Sequence, residues 1–292
     1  MLTSRTRCQL ELRNCRISTP SAGYGQNRST HNSNNNNNNN NNSRNLPGHQ
    51  TQTNDDYMNQ KLRYTNESLI DGSNDGVMMS WETPIMQKHV SDLLEGLEIN
   101  PTEQKEIRIL NIGFGMGIVD NFFQEGIKQV CEQYEQAGFP ISFKHTVIEG
   151  HPDVISRIKD SGKYNHFQNF HLLEGRWQDI IPKIENEKEN EKFDIIYFDT
   201  YAEYDDDFYQ FICSLPKILS KTGKFSFFNG NCPDNIFFHG VACEIIRLQL
   251  AENDLKVEFT PMEIDASDDP AWEEVKRKYW FRSTYYIPNV YY

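Results

Sequence analysis

Short apolar runs alternate with longer amphipathic stretches from residue 107 onward. The runs lie at residues 107–112, 142–149, 170–173, 193–199 and 224–229, and a helical pattern follows each of them. Strands that alternate with helices in this way predict a parallel sheet that is covered by helices on both faces.

The last third of the chain has a different pattern. Residues 256–264 and 278–287 are rich in Phe, Tyr, Val and Ile, and an acidic connection separates them. Two such segments predict an antiparallel pair that closes the sheet. The expected fold class is therefore α/β, with a mostly parallel seven-stranded sheet, an antiparallel C-terminal strand pair and helices on both faces.

Two helices are predicted before the sheet. Residues 56–71 mix polar and apolar positions in a way that is compatible with one amphipathic helix, and the Gly-containing residues 72–76 end it. A second helix is predicted to follow Pro84. Its apolar positions are Ile85, Val90, Leu93, Leu94 and Leu97. We expect residues 56–100 to form a lid segment over one edge of the sheet.

A polar tract precedes these elements. It includes nine consecutive asparagines, Asn34 to Asn42, among Ser, Thr, Gln, His and Gly. Such a composition buries too little apolar surface to offset the entropy lost on ordering. We therefore predict that residues 1–55 are a disordered tail and that residues 56–292 form the folded domain.

The charge divides along the same boundary. Residues 1–50 contain six Arg and one acidic residue, whereas residues 51–292 contain 23 basic and 41 acidic residues. An acidic domain argues against a nucleic-acid-binding face and suits a basic partner or a cationic substrate. A solvated acidic surface without a partner is the alternative interpretation.

Cysteine spacing and hydropathy exclude further classes. The six cysteines are scattered without a Cys-x-x-Cys pair, so neither a disulfide framework nor a zinc site is indicated. No apolar run approaches the about 20 residues that a membrane span requires. We expect a soluble protein of the cytoplasm and nucleus, without a membrane partner.

A glycine loop, residues 113–117, connects an apolar strand to a predicted helix at residues 118–136. Its sequence is Gly-Phe-Gly-Met-Gly. Glycines permit a tight turn and a close approach to a ligand, while free amides at a helix start favour a negatively polarised group. A dinucleotide fingerprint requires glycine at position 118, which is Ile. The Gly-x-Gly-x-Gly spacing is typical of methyltransferases and predicts S-adenosylmethionine as the cofactor.

Two further strand ends predict the rest of a cofactor site. Glu149 ends the second strand, where a carboxylate can accept both hydroxyls of a ribose. Trp177 and Gln178 follow the third strand and offer an aromatic face and polar groups to an adenine ring. The alternative is that the loop is only a tight turn, Glu149 a surface charge and Trp177 a core aromatic residue.

Two carboxylates are candidates for the chemistry. Asp199 ends the fourth strand, and Glu82 lies between Trp81 and a helix that starts with proline. Together they can accept the N–H groups of a guanidinium ion, orient it and take up the proton lost on methylation. The alternatives are an N-cap role for Asp199 and a helix-dipole role for Glu82.

Seven motifs resemble the protein arginine δ-N-methyltransferase family and the related guanidinoacetate methyltransferases. They lie at residues 77–86, 112–118, 149–152, 175–179, 197–201, 226–230 and 275–280. The last two favour the arginine enzymes. The resemblance covers about residues 57–292 and implies the Rossmann-like class I methyltransferase fold.

The resemblance also implies site residues. Glu82 and Asp199 are expected to grip the guanidino group. The implied cofactor contacts are Tyr57, Met78, Met86, Phe114, Gly115, Met116, Gly117, Ile118, Val119, Glu149, Gly150, His151, Trp177, Gln178 and Asp199. No metal is implied. The expected partner is an arginine-containing protein substrate, and a monomer is favoured.

Two other functions use the same residues. A guanidinoacetate methyltransferase would act on a small guanidino compound, and a silent module would bind the cofactor without turnover. The arginine enzymes typically carry ankyrin-like repeats before the catalytic domain, whereas the Asn-rich tract occupies that place here.

Overall fold

A computed structural model describes residues 54–95, 97–100, 106–186, 192–203 and 205–292. All of them belong to one compact unit, Thr51–Tyr292. The predicted tail lies outside the described residues, apart from Asn54 and Asp55, which begin the first helix. Within the described part of the chain, every helix is too short or too polar to cross a bilayer.

A seven-stranded sheet forms the centre of this unit. Its strands are β4 (Glu106–Ile112), β5 (Ser142–Glu149), β6 (Phe170–Glu174), β7 (Phe193–Phe198), β8 (Leu219–Phe227), β9 (Lys256–Glu263) and β10 (Thr284–Tyr291). The order is β6-β5-β4-β7-β8-β10-β9. The first five of these pair in parallel, and β10 pairs antiparallel with both β8 and β9. The predicted fold class is confirmed.

Helices cover both faces of the sheet, as predicted. They are α1 (Asn54–Met58), α2 (Thr83–Glu95), α3 (Ile118–Gln136), α4 (Pro152–Asp160), α5 (Trp177–Asn186), α6 (Asp205–Ile218) and α7 (Ile236–Ala251). Alternate residues of β4 point to opposite faces: Ile107 and Ile109 join the core of α2, α3 and α4, and Leu110 and Ile112 join that of α5, α6 and α7.

The predicted helix over residues 56–71 is wrong. The segment forms the short α1 and then a three-stranded antiparallel sheet of β1 (Arg63–Tyr64), β2 (Ser68–Ile70) and β3 (Gly76–Met79). Thr65 Oγ1 accepts the backbone N–H of Ser68, and Asp71 Oδ1 accepts those of Ser73 and Asp75. These local bonds favour turns over a helix.

The C-terminal strand also begins later than predicted, at Thr284 rather than Lys278. Residues 278–283 are irregular because they belong to a third core that joins the lid segment to the C-terminal pair. In that core, Trp280 packs with Trp81, which precedes α2, and with Tyr285 of β10. The chain thus brings residues 79–85 and 264–287 together beside the carboxyl edge of the sheet.

Candidate active site

The glycine loop follows β4 at the carboxyl edge of the sheet. Gly113, Gly115 and Gly117 have φ angles of 89°, 55° and 73°, which side-chain-bearing residues rarely adopt. A Cβ on Gly113 would lie 1.9 Å from the backbone oxygen of Asp199, and one on Gly117 would lie 2.6 Å from the Phe114 ring. The glycines therefore allow the ends of β4 and β7 to meet closely and keep the loop thin.

Glu149 fixes this loop from the end of β5. Its Oε2 accepts the backbone N–H of Phe114 at 2.9 Å, and its Oε1 accepts that of His151 at 2.6 Å. Burial raises the pKa of the Glu149 carboxyl, while the backbone N–H groups of His151 and Phe114 oppose that rise. The backbone N–H groups of Gly115 and Gly150 also face the carboxylate, so a ligand hydroxyl would share its oxygens with these donors.

A cleft of about 630 Å³, part of it open to solvent, runs along this edge of the sheet. Nine of the predicted site residues line it: Tyr57, Met78, Gly115, Glu149, Gly150, His151, Trp177, Gln178 and Asp199. The remaining predicted residues, Glu82, Met86, Phe114, Met116, Gly117, Ile118 and Val119, lie outside that lining. The cleft thus brings together the ends of four neighbouring strands, β4 to β7.

The predicted residues outside the lining support its walls. Met86 is buried, and its sulfur accepts a hydrogen bond from Tyr197 Oη at 3.1 Å. The Phe114 ring packs edge-on against Tyr164, and the backbone N–H of Met116 contacts the sulfur of Met78 at 3.3 Å. Ile118 and Val119 form the first turn of α3.

Trp177 lies at the other end of the cleft, where it begins α5 rather than a turn. It is buried against Phe198 and Phe211, and its indole N–H donates to Glu203 Oε1 at 2.6 Å. Glu203 was not predicted as a site residue because it belongs to no motif. Its position four residues after Asp199, just beyond the end of β7, could have indicated that it lies at the same edge of the sheet. Other lining residues that it missed are Asn54, Met58, Val77, Arg176, Thr200 and Tyr201.

The residues of the cleft fit S-adenosylmethionine. Glu149 offers acceptor capacity for ribose hydroxyls at the centre of the cleft. Among the described residues, the lining oxygens Asn54 Oδ1 and Gln178 Oε1 are buried without a hydrogen-bond partner. Buried acceptors normally have a donor, and an adenine amino group is a donor of suitable size. Gly115 and Gly150 keep the cleft open, because a Cβ on Gly115 would collide with Met78 and one on Gly150 would collide with Met58.

Glu82 lies behind this cleft, in the 3₁₀ helix Ser80–Glu82. Its side chain is buried, and Oε1 accepts the hydroxyl of Tyr279 at 2.5 Å. Oε2 receives a longer contact, 3.4 Å, from the backbone N–H of Met79. Burial and the nearby charge of Asp199 raise the pKa of Glu82 to about 8, although the bond from Tyr279 opposes this rise.

Asp199 follows β7 and is partly exposed in the cleft. Burial among protein atoms and the charge of Asp120 raise its pKa to about 7. Asp120 itself is buried on α3, where Asn111 donates to its Oδ1 at 2.9 Å and His145 lies 3.1 Å away. The site therefore contains two carboxyl groups that titrate near neutral pH and a third beneath them. Such a pair favours a cationic ligand, whose charge stabilises both ionised forms.

The fold and the site together define a Rossmann-like class I methyltransferase. The family model "Guanidinoacetate N-methyltransferase" matches residues 65–230, which include the glycine loop, Glu82, Glu149 and Asp199. The chain therefore belongs to the guanidinoacetate N-methyltransferase family.

Curated relatives carry a more particular name, "Protein arginine N-methyltransferase 2". The protein of that name from Candida glabrata is 36% identical over 81% of this chain and 52% of its own length. The Saccharomyces cerevisiae protein is 35% identical over 80% and 52%, and the Gibberella zeae protein is 36% identical over 78% and 50%. The chain thus spans about half the length of the curated relatives that it matches.

Proposed function

We propose that this chain transfers a methyl group from S-adenosylmethionine to the δ nitrogen of arginine side chains in proteins. The proposal rests on one observation above all, the placement of two carboxyl groups at the cleft: Glu82 is buried behind it with Tyr279 bonded to Oε1, and Asp199 lies in its lining. The names of the curated relatives support an arginine acceptor in a protein.

The two carboxylates suit a guanidinium ion for electrostatic reasons. Burial raises the pKa of Glu82, and the nearby charge of Asp199 raises it further because two carboxylates repel each other. A planar cation between them would relieve that repulsion and donate several parallel N–H bonds. Its own pKa is above about 12, so it arrives protonated, and its binding favours the ionised forms of both carboxyl groups, whose protons go to solvent.

Glu82 is the better proton acceptor of the two. Its Oε1 accepts the Tyr279 hydroxyl, whereas the contact of Oε2 that the described residues show is the longer one with the backbone N–H of Met79. We assign to Oε2 the proton that the guanidino nitrogen loses on methylation. A carboxyl group with a pKa of about 8 can hold this proton and then release it to water near neutral pH.

Asp199 has the orienting role. It lines the cleft, and the backbone oxygen of the same residue lies against Gly113, so its position is fixed relative to the cofactor loop. Its carboxylate can hold the remaining N–H groups so that one nitrogen faces the cleft. When bound, S-adenosylmethionine supplies the electrophilic methyl group, and Glu149, Trp177 and Gln178 are the residues that would hold it.

Tyr279 is a positioning residue in this scheme. It reaches Glu82 from 197 residues away in the sequence and is itself enclosed by Trp81 and Trp272. Burial and the charge of Glu82 raise the pKa of the Tyr279 hydroxyl well above its usual value. The hydroxyl therefore remains a donor throughout the working pH range and holds the Glu82 carboxylate in one orientation.

An acceptor assay tests the proposal. The full chain is incubated with methyl-labelled S-adenosylmethionine and either an arginine-rich protein or guanidinoacetate, with Glu82→Gln as the control. We expect label in the protein with wild type and none with the variant. Label in guanidinoacetate alone would support the second candidate, a guanidinoacetate methyltransferase, which the family match over residues 65–230 favours. Cofactor binding without label in either acceptor would indicate a silent module.

A further inference from the structure

Glu203 lines the cleft at the same end as Trp177, between β7 and α6. Its Oε1 accepts the indole N–H of Trp177 at 2.6 Å and the side-chain amide of Gln178 at 3.3 Å. Because both donors meet the same oxygen, they fix the orientation of the carboxyl group. The other oxygen, Oε2, is buried and has no hydrogen-bond partner among the described residues.

Two amide oxygens of the lining share this property. Gln178 turns its amide nitrogen to Glu203, and Asn54 turns its own to the carbonyl oxygen of Tyr201 at 3.4 Å. A carboxylate and a carbonyl oxygen only accept hydrogen bonds, so neither amide can be reversed. Gln178 Oε1 and Asn54 Oδ1 are therefore left buried, again without a partner in the described part of the chain.

Contacts between neighbouring segments bring these oxygens to one end of the cleft. Tyr201, which Asn54 contacts, precedes Glu203 by two residues. Arg176 Nη1 donates to Asp55, the neighbour of Asn54, at 2.7 Å. The Nε of Arg176 is itself buried and makes no hydrogen bond to a described residue. This end of the cleft thus offers acceptors from three side chains and a donor from Arg176.

Opposing effects act on the Glu203 carboxyl. Burial and the charge of Asp207 raise its pKa. Hydrogen bonds from Trp177, Thr200 and Gln178 favour the ionised form and oppose that rise. An ionised carboxylate oxygen can accept two hydrogen bonds, so Oε2 can receive the Thr200 hydroxyl and a ligand amino group together.

We propose that Glu203 Oε2 accepts the amino group of the adenine ring of S-adenosylmethionine and thereby selects adenine over a 6-oxo purine. Adenine presents two N–H donors at C6 beside ring nitrogens that accept, which matches the carboxylate and the Arg176 donor. A 6-oxo purine would instead place an oxygen against the carboxylate. The inference rests on the cofactor and not on the acceptor proposed above.

Calorimetry with two product analogues tests this role. The full 292-residue chain is titrated with S-adenosylhomocysteine and with S-inosylhomocysteine, which carries an oxo group in place of the adenine amino group. Wild type should bind the adenosyl compound at least about tenfold more tightly.

Glu203→Gln should change this preference. Trp177 and Gln178 hold the oxygen of the substituted side chain, so its NH₂ group takes the place of Oε2. That donor opposes an amino group and suits an oxo group, so the ratio of the two dissociation constants should shift at least about tenfold toward the inosyl compound. The thermal midpoint should stay near that of wild type, because the bond from Trp177 is kept.

Two further variants separate recognition of the base from support of the site. Glu149→Gln, at the position proposed for the ribose, should weaken both compounds to the same extent. Asp206→Asn, which removes an exposed carboxylate of α6, should change neither. Equal affinities of wild type for the two compounds overturn the proposal. An equal loss of both in Glu203→Gln also overturns it and leaves Glu203 as a support for Trp177. No acceptor is present, so the result is independent of the acceptor assay.

Discussion

The cleft that fits the cofactor and the two carboxyl groups proposed to bind the acceptor, Glu82 and Asp199, lie side by side but are assembled differently. The cleft is built from residues that directly follow neighbouring strands, such as the glycine loop, Glu149 and Trp177, and it is open at one side. Glu82 instead depends on a partner 197 residues away and is almost fully buried. Local motifs thus create the cofactor half of the candidate site, which is the glycine loop, Glu149 and Trp177. The acceptor half, Glu82 and Asp199, depends on tertiary packing of the lid segment on the C-terminal segment. Changes in one half should leave the other intact.

Removing an acceptor carboxylate is expected to have the largest effect. Glu82→Gln and Asp199→Asn should each lower turnover about 10²–10⁴-fold, because each removes a charge that orients the guanidinium or accepts its proton. Steady-state kinetics with an arginine-rich protein measures this. Cofactor affinity by calorimetry should stay close to wild type.

The control for this pair is Asp206→Asn, an exposed carboxylate in the first turn of α6. It should keep the wild-type rate. A wild-type rate in Glu82→Gln or Asp199→Asn would remove that residue from the mechanism.

The next largest effect is expected from Tyr279→Phe. Wild-type kcat/KM should rise with pH through about 7 to 8, since the free enzyme must ionise both carboxyl groups to bind a cation. The Tyr279 bond lowers the pKa of Glu82, so its loss moves the rise to higher pH. We expect about tenfold to hundredfold lower kcat/KM near pH 7, with recovery above pH 9.

A pH–rate profile of the two enzymes checks this, and Tyr291→Phe is the matched control. Tyr291 donates to Glu258 at 2.8 Å on the surface of the β9–β10 pair. Its loss should not move the profile. Superimposed profiles for Tyr279→Phe and wild type would contradict the positioning role.

Glu149→Gln tests the cofactor half. The substitution turns an amide nitrogen toward backbone N–H donors of the glycine loop and removes an acceptor for the ribose. We expect the dissociation constant for S-adenosylmethionine to rise about tenfold to hundredfold, as measured by calorimetry.

Glu174→Gln is the control, because Glu174 lies opposite Glu149 in the register of β5 and β6 but its side chain is exposed. Unchanged cofactor binding by Glu149→Gln would show that the carboxylate serves only the loop. The pH profile of kcat/KM at saturating cofactor should keep its midpoint in both variants.

The smallest effect concerns stability. Because the folded state raises the pKa of Glu82 and Asp199, it favours their protonated forms, and this contribution is lost as the pH rises from their ordinary values of 4.5 and 3.8 to about 8 and 7. Glu82→Gln should therefore increase the free energy of unfolding at pH 9 by about 1–2 kcal/mol. At pH 6 the difference should shrink. Thermal unfolding without ligands at both pH values measures it, and a destabilised variant at pH 9 would contradict the buried-charge interpretation.

The fold and much of the lining of the cleft could be predicted because strand ends gather at one edge of a parallel sheet. The glycine loop and Glu149 each follow an apolar run, and the structure brings both into the cleft. Residues 56–71 could not be predicted by periodicity, since the side-chain bonds of Thr65 and Asp71 override it. Tyr279 had no local signal for its contact with Glu82, because long-range packing alone creates that contact.

The position of the methyl group in the product tests the central claim most directly. An arginine-rich protein is methylated by the full chain with methyl-labelled S-adenosylmethionine, hydrolysed and analysed by tandem mass spectrometry. Fragmentation should place the label on the δ nitrogen, which carries the side-chain carbons. Label found only on the terminal guanidino nitrogens would contradict the proposed function, even if Glu82 and Asp199 proved essential for turnover.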